Sequence, residues 1–394
     1  MQSSSQTPDS SALFVATIVA TGSIAINAAI PGAVHLESSF GLDAGAGARI
    51  IGTFVTGYAL GHILVGLLAQ DVSQKFLLLV GLLGFVACSL FIGIAPEPDV
   101  VGWMRAGQGL CASTCPIIGR ALVRQMGTSR RAAKRMSGAS AIFAWAPVFA
   151  PLIASALSEE FGWRSVYFAL AAYGGIGLIW VLLTPERQFL TTTNHAGVRR
   201  RLHHFAELFK DANCRAGLIS GSLAFAGFFS LLAAAPNLRT DWTSYPISLA
   251  AVIALFAAGY AFGAIFSRLA LDYVDEVSVL FASLGLMAVV GVAQGAVTLV
   301  GGNIGILIGF AFVFAMAAGA AMPNATVLTM HSAIDLAPFA LALLGMSKMA
   351  LAALITTVIT MSITTAGTYL SLAMIVGGIG GLIVLLPVRR ATVN

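Results

Sequence analysis

Lys348 is a single charged residue inside a long apolar run, which extends from Ala337 to Ile359 and contains no acidic residue. The run has 23 residues, so a helix rising about 1.5 Å per residue would cross a hydrocarbon core of about 30 Å, with Lys348 near its centre. An ammonium group at that depth costs about 2.5 to 3.5 kcal/mol on insertion scales. The position therefore predicts a functional role for this side chain, unless it snorkels to the membrane interface.

Two further ionisable side chains, Arg105 and His62, lie inside apolar runs, while none of the 16 acidic residues falls near the centre of such a run. Buried cations without carboxylates are costly, and a charge-assisted bond to an anionic ligand would lower that cost. The pattern indicates a site for a small molecule that carries a carboxylate, sulfonate or phosphate. Gln108, one helical turn after Arg105, is predicted to add a neutral donor beside it.

Polar and aromatic side chains in the same apolar runs complete the predicted substrate-binding set. They are Asn27, Tyr58, Trp145 and Asn324, which join Lys348, Arg105, Gln108 and His62. Structural alternatives stay open for several of them. Arg105 could bond backbone carbonyls of a neighbouring helix, and His62, Tyr58 and Trp145 could pack between helices. Asn324 follows Pro323, a candidate helix break, and could instead satisfy backbone groups that such a break frees.

Hydropathy places these residues in a polytopic membrane protein. The 394 residues are 58% hydrophobic and only 9% charged, with a mean hydropathy of +0.92, which excludes an ordinary soluble domain. Continuous apolar runs favour helices over a transmembrane barrel. The four cysteines match neither a disulfide framework nor a zinc site, and we expect no metal or cofactor. We predict an all-α integral membrane fold with twelve spans, at residues 12–30, 50–70, 76–95, 100–120, 136–157, 163–183, 214–236, 247–267, 277–300, 304–328, 337–359 and 370–386.

Lys and Arg residues are distributed unevenly between the two sides of the predicted membrane. With the N-terminus inside, 16 belong to inner loops and three to outer loops, so the positive-inside rule predicts both termini in the cytoplasm. The net charge of +5 follows from this bias and gives no indication of nucleic-acid binding. The longest polar stretch, 185–213, is the predicted linker between six-helix bundles at 1–184 and 214–394, which suggests two repeats around a central site. Within this linker, VRRRLHHFAELF predicts either an amphipathic helix on the membrane surface or a plain tether.

Several motifs in order carry a family resemblance. They are RAGQGLCASTCPIIGRALVRQ, with Arg105, Gln108 and Gly109 in an Arg-x-x-Gln-Gly pattern, then GASAIFAWAPVFAPLI with Pro147 and Pro151, then FGWRSVYFAL. The chain thereby resembles the Bcr/CflA-type drug-resistance branch of the major facilitator superfamily, well in its N-terminal half and weakly in its C-terminal half. The resemblance implies twelve transmembrane helices in two six-helix pseudo-repeats.

The chain departs from this branch at positions that bear on mechanism. Asn27 stands where members usually carry an acid in the first helix, and the loop GLLAQDVSQK has Gln70 at the acidic position with Asp71 one residue late. His62 and Lys348 stand where glutamines are common. Proton antiport therefore lacks its customary carboxylate here.

Residues of the fifth predicted helix and of the loop after the second helix are candidates for gating. Pro147 and Pro151, with small neighbours, would let the fifth helix bend, either as a moving gate or as a static kink. Asp71 could contact the basic loop SRRAAKR across the inner face.

The sequence thus predicts a transporter and not an enzyme, because its scattered acids form no catalytic cluster with histidine. We expect an alternating-access exporter of a small organic anion, a carboxylate metabolite or a siderophore-like carboxylate, in a bacterial inner membrane. An anion leaving a negative interior gains about 2.3 kcal/mol per charge per 100 mV, so uniport would suffice. The alternative, implied by the resemblance, is a proton-coupled multidrug efflux antiporter, and coupling through His62, Glu37 or a carboxyl of the substrate stays open. We expect a monomer in the lipid bilayer that binds no nucleic acid.

Overall fold

The computed structural model describes residues 8–43, 46–68, 72–125, 130–185, 189, 209–234, 248–301, 303–331, 337–362 and 366–393. These ranges contain thirteen α-helices and no strand, which confirms the all-α prediction. In chain order the helices are α1 (Pro8–Phe40), α2 (Ala46–Leu68), α3 (Gln74–Gly93), α4 (Pro98–Ala112), α5 (Thr114–Gln125), α6 (Arg130–Phe161), α7 (Arg164–Leu183), α8 (Ala212–Ala234), α9 (Leu249–Ala270), α10 (Glu276–Leu299), α11 (Ile304–His331), α12 (Ala337–Ser362) and α13 (Ala366–Val393).

The helices account for the twelve spans that hydropathy predicts. Within the described ranges, eight helices are long and apolar enough to cross a membrane, namely α1, α3, α7, α8, α9, α10, α11 and α13. Helices α2 and α12 contain shorter apolar stretches, Gly52–Leu68 and Ala342–Ile355. The 32-residue α6 provides one further span, and α4 and α5 in succession provide another.

The fourth span is divided into two helices at Ser113. Pro116 has no N–H to donate to the carbonyl of Ala112, the last residue of α4, and its ring crowds the same turn. The hydroxyls of Ser113 and Thr114 donate instead to backbone carbonyls of α4, at 2.7 and 2.9 Å. The predicted single span at 100–120 is therefore built from two helices.

Other prolines are accommodated inside continuous helices. Helix α1 continues through Pro31 to Phe40, and α6 contains both Pro147 and Pro151. Helix α11 runs without interruption through Pro323, so the candidate break at this position is not observed. Neighbouring helices and local hydrogen bonds can offset the backbone bond that each proline removes.

A five-residue motif occurs once in each half of the chain. Residues 57–61 in α2 read Gly-Tyr-Ala-Leu-Gly, and residues 259–263 in α9 read Gly-Tyr-Ala-Phe-Gly. A Cβ added at Gly57 would overlap the backbone carbonyl of Ala106 in α4, and one at Gly263 would overlap that of Met316 in α11. Glycines four residues apart permit this close helix approach. The α2–α4 and α9–α11 pairs are thus equivalent packing units, as two pseudo-repeats require.

Two helix pairs make the most extensive contacts between α1–α7 and α8–α13 in the described ranges. In the first pair, α2 meets α12 at small residues, and a Cβ built at Gly66 would lie 2.9 Å from Cβ of Ala342. In the second pair, α6 meets α9 through apolar side chains, among them Val148 and Ala254. We call these contacts the α2–α12 seam and the α6–α9 seam.

Candidate functional site

Arg105 is buried inside the N-terminal helices, with no exposed surface. Its Nη1 donates to Gln108 Oε1 at 2.7 Å and to Ala25 O of α1 at 3.4 Å, and its guanidinium carbon lies 4.3 Å from the centre of the Phe54 ring. Gln108 Nε2 donates onward to Ser89 Oγ at 2.7 Å. Gln108 therefore lies beside Arg105, as the helical spacing predicts, but presents its oxygen and not its amide hydrogens to the guanidinium.

Asn27 lies at the depth of Arg105 but bonds its own helix. Its Nδ2 donates to Ser23 O at 2.8 Å, and it is two residues from Ala25, whose carbonyl accepts from Arg105. Asn27 Oδ1, Arg105 Nε and Arg105 Nη2 are buried and have no hydrogen-bond partner among the described residues. The similar depth that the sequence predicts for these two residues is therefore observed, without a hydrogen bond between their side chains.

A row of rings on α2 connects Arg105 with the α2–α12 seam. Phe54, Tyr58 and His62 follow at intervals of four residues and so lie on one helix face. Their ring centroids are 5.7 Å apart for Phe54 and Tyr58 and 4.6 Å apart for Tyr58 and His62. None of the three is more than 5% exposed. We call this buried row the α2 ladder.

The ladder ends at His62, which packs directly on Gly345 of α12. His62 Nδ1 lies 2.8 Å from the carbonyl oxygen of Tyr58 in the same helix. A Cβ added at Gly345 would overlap the imidazole ring, and one added at Gly22 of α1 would lie 2.6 Å from the Tyr58 ring. Both ring contacts thus depend on the absence of a side chain, which lets α1, α2 and α12 approach closely.

Lys348 lies one turn beyond Gly345, on the same side of α12. Its Nζ is 5.1 Å from the centre of the Phe225 ring of α8, within cation–π distance. Beside it, the hydroxyl oxygens of Ser347 and Ser222 are 2.8 Å apart and join α12 to α8. Lys348, Phe225 and Ser347 are all partly exposed.

The remaining predicted substrate-binding residues lie elsewhere in the bundle. Trp145 belongs to the α6–α9 seam, where its ring is 6.3 Å from that of Phe262 and is 37% exposed. Asn324 is buried in α11, and its Nδ2 donates to Ser267 Oγ of α9 and to Ala320 O, at 2.7 Å each. The structure therefore brings Tyr58, His62 and Lys348 together and places Trp145 and Asn324 in other contacts.

The predicted gating residues are only partly covered by the structure. Pro147 and Pro151 lie in α6 on either side of Val148, which packs in the α6–α9 seam. Asp71 lies outside the described residues, as does most of the VRRRLHHFAELF segment. Within the described ranges, no group of three or more His, Cys, Asp or Glu residues could hold a metal ion.

Sequence reasoning missed several residues that shape this region. Phe54 was detectable, because its spacing of four residues from Tyr58 places both rings on one face of a helix. Gly345 carried a weaker signal as a glycine within an apolar run. Phe225 and Ser222 had none, because their contacts with Lys348 and Ser347 join helices far apart in the chain.

Comparison with known proteins gives the family of this fold. A family model described as "Major Facilitator Superfamily" matches residues 12–338, which include helices of both halves. The chain belongs to this superfamily. The crystal structure of a D-xylose-proton symporter is 14% identical and superposes with a TM-score of 0.71 over 95% of this chain and 96% of its own. At that identity the likeness concerns the fold alone, and it agrees with the predicted twelve helices in two pseudo-repeats.

Curated relatives also support the resemblance to the drug-resistance branch of the superfamily. "Multidrug resistance protein MdtL" of Vibrio parahaemolyticus is 30% identical over 121 residues, 31% of each chain. The protein of the same name from Shewanella oneidensis is 26% identical over 189 residues, 47% of this chain and 46% of the relative. The chain thus spans about a third to a half of the length of these curated relatives.

Proposed function

We propose that this protein is an alternating-access transporter that exports a small organic anion across the inner membrane of a bacterium. Membership of the superfamily and the array of apolar helices support transport as the general activity. The observation that carries the anionic substrate is the ammonium of Lys348, near the middle of α12 and one turn from the α2–α12 seam. A carboxylate metabolite or a siderophore-like carboxylate carries the matching charge.

The free energy of the Lys348 ammonium favours an anionic partner. Its insertion costs about 2.5 to 3.5 kcal/mol, and the contact with Phe225 returns about 0.5 to 2 kcal/mol. The chain has no acidic residue near the centre of a predicted span. A carboxylate bound to Lys348 would add a charge-assisted hydrogen bond, which a neutral molecule or a cation could not supply.

Arg105 stabilises the N-terminal helices in this proposal and does not contact substrate. It has no exposed surface and bonds Gln108 and the carbonyl of Ala25. The proposed substrate site is built around Lys348 and Phe225, with His62 and the rest of the α2 ladder as the wall from the other half.

The basic-residue bias supports a cytoplasmic position for the α2–α12 seam. The bias of basic residues supports cytoplasmic termini, and the polar stretch at 185–213 supports a linker between bundles at 1–184 and 214–394. The C-terminal end of α2 and the N-terminal end of α12 then face the cytoplasm. The His62–Gly345 and Gly66–Ala342 contacts would close the pathway on that side, and the prolines of α6 would let the other seam flex during opening.

The membrane potential alone can drive export of an anion by uniport. Its departure from a negative interior gains about 2.3 kcal/mol per charge per 100 mV. Asn27 cannot load a proton, and His62 is the one residue of the α2 ladder whose side-chain type ionises near neutral pH. Proton coupling would therefore pass through His62, Glu37 or a carboxyl of the substrate.

A proton-coupled multidrug exporter is the second candidate. It is supported by the similarity to relatives named "Multidrug resistance protein MdtL". It differs from the first candidate in its consequences: lipophilic cations would be carried, a pH gradient would drive them, and Lys348 would be dispensable.

Flux measurements in proteoliposomes separate the two candidates. Vesicles loaded with labelled carboxylates, a neutral sugar or a lipophilic cation are compared for wild type, Lys348→Gln and the charge-preserving control Lys348→Arg, with protein-free vesicles correcting for leak. We expect carboxylate efflux to fall by about tenfold or more in Lys348→Gln and to persist in Lys348→Arg, because a charged hydrogen bond is lost only in the first. Lipophilic cations carried equally by wild type and Lys348→Gln, without carboxylate flux, would replace the anion proposal by the multidrug one.

A further inference from the structure

Phe225 is an aromatic neighbour of Lys348. Any apolar residue would satisfy the hydropathy of the span at this position. The Phe225 ring lies 5.1 Å from Lys348 Nζ and stacks on Phe229 at a centroid distance of 6.2 Å and an interplanar angle of 19°. Phe229 is only 2% exposed. Phe225 therefore contacts both a buried ring and the ammonium, and is itself partly exposed.

Ser347, the residue before Lys348, carries a hydroxyl that contacts the same helix, α8. Ser347 Oγ is 2.8 Å from Ser222 Oγ, and its other bond, to Leu344 O, is long at 3.3 Å. A weak bond to a backbone carbonyl is readily exchanged for a shorter one to a carboxylate, because bonds to charged acceptors are about twice as strong. Ser347 contacts Ser222 and Lys348 contacts Phe225, which lie three residues apart on one face of α8, so both donors are directed towards that face.

We propose that these residues form a subsite for aryl carboxylates, in which the carboxylate binds Lys348 and Ser347 and the aromatic ring of the substrate packs on Phe225. The inference rests on the proposed function and narrows it from organic anions to those with a ring next to the acid. It assigns Phe225 of α8 as the residue that determines specificity.

The preference for a ring follows from the neighbours of the cation. A carboxylate that reaches Lys348 brings the atoms next to it against the Phe225 ring. An aromatic group there gains an offset or edge contact, worth a few-fold in affinity beyond its buried area. A saturated ring of equal size keeps the charge pair and most of the buried area but loses that contact.

Matched ligands isolate this effect. Benzoate and cyclohexanecarboxylate have the same charge and similar size and differ in aromaticity, and equilibrium dialysis of each against purified protein in detergent at pH 7 gives both affinities. The variants are Phe225→Leu, Ser347→Ala and Lys348→Gln, and Phe266→Leu is the control, since that ring lies in α9 and is 66% exposed. Elution as a single folded species is required of every variant.

We expect wild type and Phe266→Leu to bind benzoate about fivefold more tightly than cyclohexanecarboxylate, and Phe225→Leu to bind both alike. Ser347→Ala should weaken both acids to the same extent. Equal binding of the two acids by wild type, unchanged in Phe225→Leu but lost in Lys348→Gln, would overturn the aryl subsite and leave the anion site standing. Binding of neither acid, or wild-type affinity in Lys348→Gln, would instead overturn the proposed function and the subsite with it.

Discussion

Gln108 links the Arg105 guanidinium to Ser89, and its removal should destabilise the N-terminal helices. Gln108→Leu leaves Arg105 Nη1 with only the 3.4 Å bond to Ala25 O and leaves Ser89 Oγ without its donor. A buried charged donor without its acceptor costs about 1 to 3 kcal/mol, so the midpoint of denaturant-induced unfolding in detergent should fall accordingly.

Ser89→Ala is the matched control for this prediction. It removes only the neutral bond from Gln108 Nε2, and membrane helix–helix hydrogen bonds of this kind average about 0.6 kcal/mol. Equal destabilisation by Ser89→Ala and Gln108→Leu would contradict the role given to Arg105.

Asp275, outside the spans, caps α10 and should make stability depend on pH. The Ser278 hydroxyl and backbone N–H donate to its carboxylate at 2.8 and 3.0 Å and lower the pKa of Asp275. A carboxyl with a lowered folded pKa stabilises the protein above its unfolded pKa of about 3.9, and this stabilisation is lost as pH falls through the folded pKa. Asp275→Ala should therefore cost about 1 kcal/mol at pH 7, with a smaller deficit below about pH 4.

Asp275→Asn separates charge from capping in the same unfolding measurement. Its side-chain oxygen still accepts from the helix N-terminus, so it should lie between wild type and Asp275→Ala at pH 7. A deficit of Asp275→Ala that is unchanged from pH 7 to pH 3 would show that ionisation of the cap contributes nothing.

Contacts between side chains on the same helix could be predicted from their spacing in the sequence. Contacts between different helices could not. Gln108 beside Arg105 follows from a separation of three residues on one helix. The sequence could not show that Arg105 would have no exposed surface, because Phe54 and Ala25 come from two other helices. The contact between Phe225 and Lys348 could not be predicted either, because the two residues lie on different helices.

Close helix packing through the repeated glycines is the feature of the elements that is most open to test. Gly57→Ala would drive a Cβ into the backbone carbonyl of Ala106, which cannot rotate away as a side chain could. Overpacking of this kind costs about 1 to 3 kcal/mol. The unfolding midpoint of the purified protein should fall by the equivalent amount.

Gly52→Ala provides the control in the same helix. A Cβ at Gly52 would meet nothing within 4 Å, so alanine should leave stability unchanged or raise it by about 0.5 to 1 kcal/mol through its higher helix propensity. Similar losses for Gly52→Ala and Gly57→Ala would rule out the α2–α4 approach as the cause.

The positions of the membrane-spanning helices follow from hydropathy. Whether a helix continues through a proline or breaks there depends on the local turn and its neighbours. Apolar runs are sufficient to locate the spans, because a bilayer-crossing helix needs about 20 such residues. The division between α4 and α5 had a local signal in Pro116. The passage of α1 through Pro31 and of α11 through Pro323 had none, since neighbouring helices decide whether a proline is tolerated.

Opening of the α2–α12 seam is the motion that alternating access requires of the whole molecule. Gly66→Cys with Ala342→Cys, in a chain whose native cysteines are replaced, would place the two Cβ atoms 2.9 Å apart without relaxation, so a small outward shift brings them to the roughly 3.8 Å typical of a disulfide. Oxidation should stop transport and reduction should restore it, because the seam could no longer open.

A second crosslink shows whether the effect belongs to the seam. Gly84→Cys with native Cys111 retained joins α3 to α4 inside one half, where a Cβ at Gly84 would lie 3.5 Å from Cβ of Cys111. This crosslink should leave transport active. Continued transport with the 66–342 crosslink formed would mean that the α2–α12 seam does not open in the cycle.

The charge carried with each substrate tests the whole account most directly. Proteoliposomes with substrate on both sides and no pH gradient are given a membrane potential of either sign, and net carboxylate flux is measured for wild type and Lys348→Gln. An electrogenic anion carrier predicts flux towards the positive side, reversing with the potential and favoured by about 2.3 kcal/mol per charge per 100 mV, with little flux in Lys348→Gln. Flux that ignores the potential and appears only when a pH gradient is imposed, equally in Lys348→Gln, would contradict it.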